Sequence, residues 1–201
     1  MLKQKHEFID GLIEIGAFHL GDFVLKSGAA SPYYLDLRLL ISHPRLLRLA
    51  AELLWEKVAH LEFDILCGVP YAALPIATCL SVFYDRPMIL RRKTAKEYGT
   101  KKILEGCYEP GQKCLIVEDV LSSGASVLET ASILAEHELI VHDVALLVDR
   151  EQGGKQTLAG HQISVHSLLT IREILSHLAE AKRFPQKEID TVFSYLAGMQ
   201  R

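Results

Sequence analysis

The amino-acid sequence predicts an α/β protein with a central, mostly parallel sheet flanked by helices. Three observations carry that prediction. Short segments such as "FDILCGVP" (63–70), "PMILR" (87–91) and "VHDVALLVD" (141–149) are built around apolar runs, as strands buried on both faces are. Amphipathic segments of helical length alternate with them, the pattern of a doubly covered parallel sheet. The run Leu115-Ile116-Val117 ends in Glu118-Asp119 and then in Ser122-Ser123-Gly124-Ala125-Ser126. Ligands bind at such carboxyl strand ends in open α/β sheets.

Taken in order, "MLKQKHEFIDGLIEIGAF" (1–18) has charges throughout and an apolar stripe of Phe8, Leu12, Ile13 and Ile15, which predicts an amphipathic helix rather than a targeting segment. "GDFVLKSGAASPYYLDLR" (21–38) reads as two short strands around a Gly/Ala/Ser/Pro turn. His43-Pro44 opens a helix to about His60, with Leu46, Leu47, Leu49, Ala50, Leu53 and Leu54 on its inner side. After the strand at 63–70, "YAALPIATCLSVF" (71–83) predicts a helix, with Pro75 early enough to be tolerated. The strand at 87–91 leads into "RKTAKEYGTKKILEG" (92–106), a polar, cation-rich stretch expected to be an exposed loop or mobile hairpin. The acid-tipped strand and its helix follow, then strand 141–149, a Gly-rich turn with a helix (153–160), strand "ISVHSLL" (163–169) and two terminal helices.

Composition narrows the partners. A chain of 201 residues suits one domain and can bury a substantial core. A net charge of −3 offers no general basic face for nucleic acid. No apolar run approaches the roughly 20 residues a membrane span needs. Cys67, Cys79, Cys107 and Cys114 lack ligand-like spacing, and they are expected to be reduced, mostly buried thiols in a cytoplasmic protein. The nine histidines form no HxxxH or similar cluster, so no structural metal site is expected.

The chemistry concentrates between 118 and 126. A helix start preceded by small residues offers free N–H groups and a positive dipole end to a phosphate, with serine hydroxyls beside them. Two acids would repel that phosphate unless they face another part of the ligand, such as sugar hydroxyls or a hydrated Mg²⁺. The loop alone is also compatible with serines that merely cap a helix and acids that are solvated. Neither GxxxxGK[ST] nor GxGxxG is present.

A strand, two adjacent acids and a Ser-Gly-x-Ser loop resemble the phosphoribosyl-diphosphate motif of type I phosphoribosyltransferases. "LKSGAASPYYLDLR" (25–38), "CGVPYAALPIAT" (67–78), "RRKTAKEYGTKKILEG" (91–106) and "LLVDREQGGK" (146–155) occur in collinear order around it. Together they resemble the orotate phosphoribosyltransferase family, above all the form found as the first half of bifunctional UMP synthases. The resemblance covers residues 8–178. It implies the type I phosphoribosyltransferase fold, one domain over 1–201 with a small N-terminal hood (1–40), a mobile cationic loop (92–106) and a C-terminal helical extension (185–201). It implies transfer of 5-phosphoribosyl from 5-phosphoribosyl 1-diphosphate (PRPP) to N1 of orotate, with Mg²⁺ as cofactor, in UMP biosynthesis.

By the same resemblance, Val120, Leu121, Ser122, Ser123, Gly124, Ala125 and Ser126 hold the 5′-phosphate end of PRPP, while Glu118 and Asp119 face the ribose. Lys26, Tyr71, Ala72, Arg92, Lys93, Lys96 and Tyr98 match positions around the pyrophosphate, and Lys96, Glu118 and Asp119 match the catalytic positions. Lys26, Tyr34, Leu35, Ser122 and Arg150 match positions around orotate. Arg150 has the planar fork that suits a carboxylate, although a strand-end ion pair with Asp149 or Glu151 is the competing reading. Mg²⁺ is expected mainly through PRPP, with water-mediated contact to Glu118 and Asp119. A homodimer is implied, its 92–106 loop reaching into the partner's site.

Four positions depart from the common family pattern. Glu118 stands where many relatives have Asp, Tyr98 where His is frequent, Leu35 where a second aromatic is frequent, and Ala72 where bacterial relatives carry Lys. A purine-base acceptor and a non-catalytic PRPP-binding regulator are the alternatives on the same fold. These 201 residues hold no second barrel, so decarboxylation of the product is not expected of them.

Overall fold

The protein is described by a computed structural model over residues 2–24, 28, 30–93 and 103–199. Helix α1 (Leu2–Glu14) turns Phe8, Ile9 and Leu12 into the core, one face of a 3.6-residue period. Strands β1 (Phe18–Val24) and β2 (Ala30–Leu35) then pair antiparallel as a separate two-stranded sheet, the expected hood. A 3-10 turn over Leu37–Ser42 follows, an element absent from the sequence expectation. It leads into α2 (Pro44–Val58), with Pro44 in the first turn, where its missing N–H leaves no bond unmade.

The main sheet is formed by β3 (Ile65–Gly68), β4 (Met88–Arg91), β5 (Leu104–Glu105), β6 (Cys114–Leu121), β7 (Asp143–Asp149) and β8 (Ser164–Thr170). Their spatial order is β5-β4-β3-β6-β7-β8. Every neighbouring pair is parallel except β4 with β5. The intervening helices are α3 (Ala73–Tyr84), α4 (Ala125–Glu136) and α5 (Gly154–Gly160), and α6 (Ile171–Glu180) with α7 (Gln186–Met199) closes the chain. This is the α/β architecture with a central, mostly parallel sheet flanked by helices, as the sequence predicts. Because β4 lies on one side of β3 and β6 on the other, the strand order reverses between β3 and β6, the place where such sheets open a crevice.

For 92–106 the expectation is an exposed loop or mobile hairpin; its described end takes the paired form, and at Leu104 it is buried rather than exposed. Leu104 is only 1% exposed, and Leu104–Glu105 pairs antiparallel with Leu90–Arg91, while Arg92 N–H donates to the Ile103 carbonyl at 2.8 Å. Ile103-Leu104 is an apolar pair inside a cation-rich stretch, and burying it against the sheet edge outweighs the polarity around it. Residues 94–102 lie outside the described ones. All four cysteines are unpaired, Cys67 and Cys114 buried, Cys79 half-buried and Cys107 exposed.

Candidate active site

Register brings three strand ends together. Gly68 of β3 lies opposite Val117 of β6, and Leu121 of β6 lies opposite Asp149 of β7. Two further bonds extend the ladder into the loops: Val69 N–H to the Val117 carbonyl, and Arg150 N–H to the Leu121 carbonyl, both 2.9 Å. The 69–72 turn, the 118–126 segment and Arg150 therefore share one end of the sheet, with Arg92 and Lys93 following from β4. Gly68 allows the closeness on the β3 side: a Cβ there would stand 3.1 Å from Ala77 and Leu74 of α3.

The two acids are not equivalent. Glu118 is 5% exposed while Asp119 is half-buried. Glu118 Oε2 accepts from the Ser126 hydroxyl at 2.7 Å, and its Oε1 accepts from the Asp119 N–H at 3.0 Å. Burial, reinforced by the Asp119 carboxyl beside it, pushes the Glu118 carboxyl up to about 8. At neutral pH the pair therefore holds a proton, and Asp119 is the less buried of the two acids.

Below them the chain turns into α4. Gly124 is the cap residue with φ +86°, a left-handed conformation that any side chain would strain, and a Cβ there would also approach Leu158 at 3.2 Å. Ser123, Ala125 and Ser126 are exposed and Ser122 half-buried, and among the first N–H groups of α4 that of Ala125 donates to the Ser123 hydroxyl at 3.4 Å. Ser126 already spends its hydroxyl proton on Glu118. Leu121 is buried and Val120 half-buried, so they form the floor beneath this segment. The loop is held in place by Gly154 of α5, where a Cβ would lie 2.4 Å from the Ser122 carbonyl oxygen and 2.8 Å from Leu121. The sequence marks Gly154 only as one of a Gly-Gly pair.

Arg150 is oriented by an aromatic residue that sequence reasoning missed. Its Nε donates to the Tyr33 hydroxyl at 2.8 Å, and its guanidinium carbon lies 4.7 Å from the centre of the Tyr33 ring. Tyr33 is fully buried; burial raises its phenol and the Arg150 charge pulls it back. The competing ion pair is not what forms: Glu151 is paired with Arg172, and Asp149 accepts from Glu151 N–H. One Arg150 nitrogen, Nη2, is buried without a hydrogen-bond partner among the described residues.

The remaining predicted residues fall around this centre. Tyr34 is exposed on the hood, 5.5 Å from the Phe23 ring, and accepts from Arg38 Nη2 at 3.3 Å. Leu35 is half-buried beside it. Tyr71 is 68% exposed and Ala72 half-buried. Arg92 reaches Glu105 at 3.4 Å, and Lys93 is exposed. Lys26, Lys96 and Tyr98 lie outside the described residues.

Residues 40–165 match the model of the phosphoribosyl transferase domain family. The chain is 45% identical over 190 residues to a uridine 5′-monophosphate synthase of Bos taurus, covering 94% of this chain and 40% of that protein. It thus spans less than half the length of that relative. It is 41% identical over 196 residues to an orotate phosphoribosyltransferase of Caenorhabditis elegans, covering 96% of this chain and 86% of that one. The structure is similar to that of the Mycobacterium tuberculosis orotate phosphoribosyltransferase in complex with PRPP. The TM-score is 0.71 at 26% identity, over 85% of this chain and 98% of the other. Strand order, the acid–serine segment and these likenesses agree: the chain belongs to the phosphoribosyltransferase family, among the orotate phosphoribosyltransferases.

Proposed function

We propose that the chain transfers the 5-phosphoribosyl group of PRPP to N1 of orotate, releasing pyrophosphate and giving orotidine 5′-monophosphate for UMP biosynthesis. The observation that carries this reading is the meeting of the acid–serine segment with Arg150, whose Nη2 is buried and without a partner among the described residues. A buried donor on a fixed cation is suited to a ligand carboxylate, and orotate has one.

In this reading the N–H groups of Ser123 through Ser126, with the Ser122 and Ser123 hydroxyls, hold the 5′-phosphate. Asp119 accepts from the ribose hydroxyls, and Glu118 keeps Asp119 and Ser126 in register. As the C1–oxygen bond to pyrophosphate breaks and the C1–N1 bond forms, positive character grows on the ribose ring, and the Asp119 carboxylate stabilises it. Arg92, Lys93 and the 71–72 turn face the leaving pyrophosphate, joined by Lys26, Lys96 and Tyr98. Tyr34 and Leu35 border the orotate ring opposite Arg150. Ala72 leaves the contact made by lysine in bacterial relatives to backbone N–H groups.

Mg²⁺ fits this donor set in one way. Carboxylate oxygens suit it, but both Glu118 oxygens already accept hydrogen bonds, so Asp119 is the acid free to meet it through water. When bound with PRPP, the cation offsets charge on the leaving diphosphate. We further propose a cytoplasmic homodimer of single-domain chains, with the 92–106 loop completing the partner's site. Among the described residues no helix is long and apolar enough to cross a membrane.

The test is direct. Purified protein with orotate, PRPP and Mg²⁺ is expected to consume the near-ultraviolet absorbance of orotate, and adenine and hypoxanthine are expected to be poor acceptors. An enzyme silent toward orotate at high concentration, or faster with a purine base, overturns the assignment.

A further inference from the structure

Arg91 has no part in the chemistry above, yet it is one of the most buried charges in the protein. It is the last residue of β4 and 3% exposed. A buried guanidinium is tolerated only when its charge and its N–H groups are matched. Its Nη2 pairs with the Glu129 carboxylate and its Nη1 donates to the Thr130 hydroxyl at 2.8 Å, while its Nε is buried with no partner among the described residues, so these two contacts carry the match. Thr130, fully buried, donates its hydroxyl to the Ser126 carbonyl at 2.8 Å. Ser126 in turn donates its hydroxyl to Glu118 at 2.7 Å. One chain of hydrogen bonds thus runs from the root of the basic segment, just before Arg92 and Lys93, through the first turn of α4 to the acid pair. Since β3 separates β4 from β6, no backbone ladder joins those two strands directly.

We propose that Arg91 and Thr130 are positioning residues of the PRPP site, which set the N-terminus of α4 and the Ser126–Glu118 contact against Arg92 and Lys93, the two residues that follow Arg91 and are read above as facing the diphosphate. The inference rests on the phosphoribosyl-transfer reading above. Threonine is a mediocre helix former, and its habit of bonding the carbonyl four residues back satisfies only its donor. Here the same hydroxyl also accepts from a cation, and an aliphatic side chain can do neither. The consequence is selective: losing the link frees the phosphate cradle to shift relative to the diphosphate clamp, while Arg150 and Tyr33, on other elements, stay in place.

Thr130→Val removes the hydroxyl at nearly constant volume, and Thr130→Ser keeps it. With melting temperature recorded for each, Thr130→Val is expected to lower kcat/KM for PRPP about tenfold, with the orotate KM changed less than about twofold and Thr130→Ser within about threefold of the parent. Arg91→Lys retains the charge but loses the two-pronged geometry, and a PRPP-selective loss of the same sign is expected; it serves as the test if Thr130→Val does not fold. Unchanged PRPP kinetics in Thr130→Val, equal losses in the Val and Ser variants, or an orotate KM that rises in step with that of PRPP overturns the proposal. An inactive parent enzyme overturns the transfer reading as well, whereas an active parent with an unaffected Thr130→Val overturns the positioning role alone.

Discussion

Asp119 and Glu118 occupy adjacent positions and have opposite relations to water, and that difference sets what each substitution does. Asp119 is half-buried, and Asp119→Asn keeps its shape and removes the charge. Turnover is expected to fall about 100-fold or more while the melting temperature moves little, as steady-state rates and thermal denaturation of the same preparation would tell. Near-normal turnover would remove Asp119 from the mechanism. Glu118 predicts a pH effect on folding instead. Its carboxyl is raised from 4.5 to about 8 in the folded protein, so the folded state holds a proton that the unfolded chain releases. The associated stability is present below pH 4.5 and is lost as pH rises toward 8, by up to about 1.4 kcal/mol per pH unit. Glu118→Gln, which cannot ionise, is therefore expected to melt with a flatter pH dependence over that range. Parallel curves for parent and variant would show that Glu118 is ionised in the fold. The two acids were legible in the sequence as a pair. Their inequality was not, because it comes from a hydroxyl eight residues away and from burial that only the folded sheet creates.

The elements carrying these residues were legible for a plain reason: buried parallel strands must be apolar, and each apolar run from 63 onward became a strand. Contacts between elements left fainter marks. Arg91 reads in sequence as the polar end of a strand, although Ile89 and Arg91 alternate inward together. Tyr33 and Tyr34 look interchangeable, yet strand alternation buries one beneath Arg150 and exposes the other on the hood. Gly154 is the sharpest case, since a glycine after a glycine signals a turn and nothing about what passes over it. The Ser122 carbonyl does pass over it, so Gly154→Ala forces the α5 start and the phosphate segment apart. Overpacking of this kind costs about 1–3 kcal/mol, and here part of that strain falls on the segment proposed to hold the 5′-phosphate. A lowered melting temperature together with a raised PRPP KM is expected from Gly154→Ala; unchanged values of both would mean that α5 yields without disturbing the site.

At the scale of the whole molecule, the chain's last helix meets its first sheet at the proposed acceptor site. The sequence of α7 shows an apolar stripe of Ile189, Val192 and Leu196 but not its destination, because an amphipathic helix specifies a face and not a neighbour. In the structure that stripe is fully buried, and α7 packs against β1, β2 and α6. Tyr195 meets Tyr33 edge-on at 6.4 Å, and Tyr33 is the residue that fixes Arg150. The route from α7 to Arg150, the proposed partner of the orotate carboxylate, is therefore two aromatic rings and one hydrogen bond long. Leu196→Ala opens a cavity in this layer and is expected to cost about 2–5 kcal/mol of folding stability. Loosening α7 also frees Tyr33, so the orotate KM should rise more than the PRPP KM, the reverse of the expectation for Thr130→Val. Kinetics with each substrate varied in turn, below the variant's melting transition, separate the cases. Equal changes in both constants would mean that α7 supports the fold as a whole and not the acceptor side in particular.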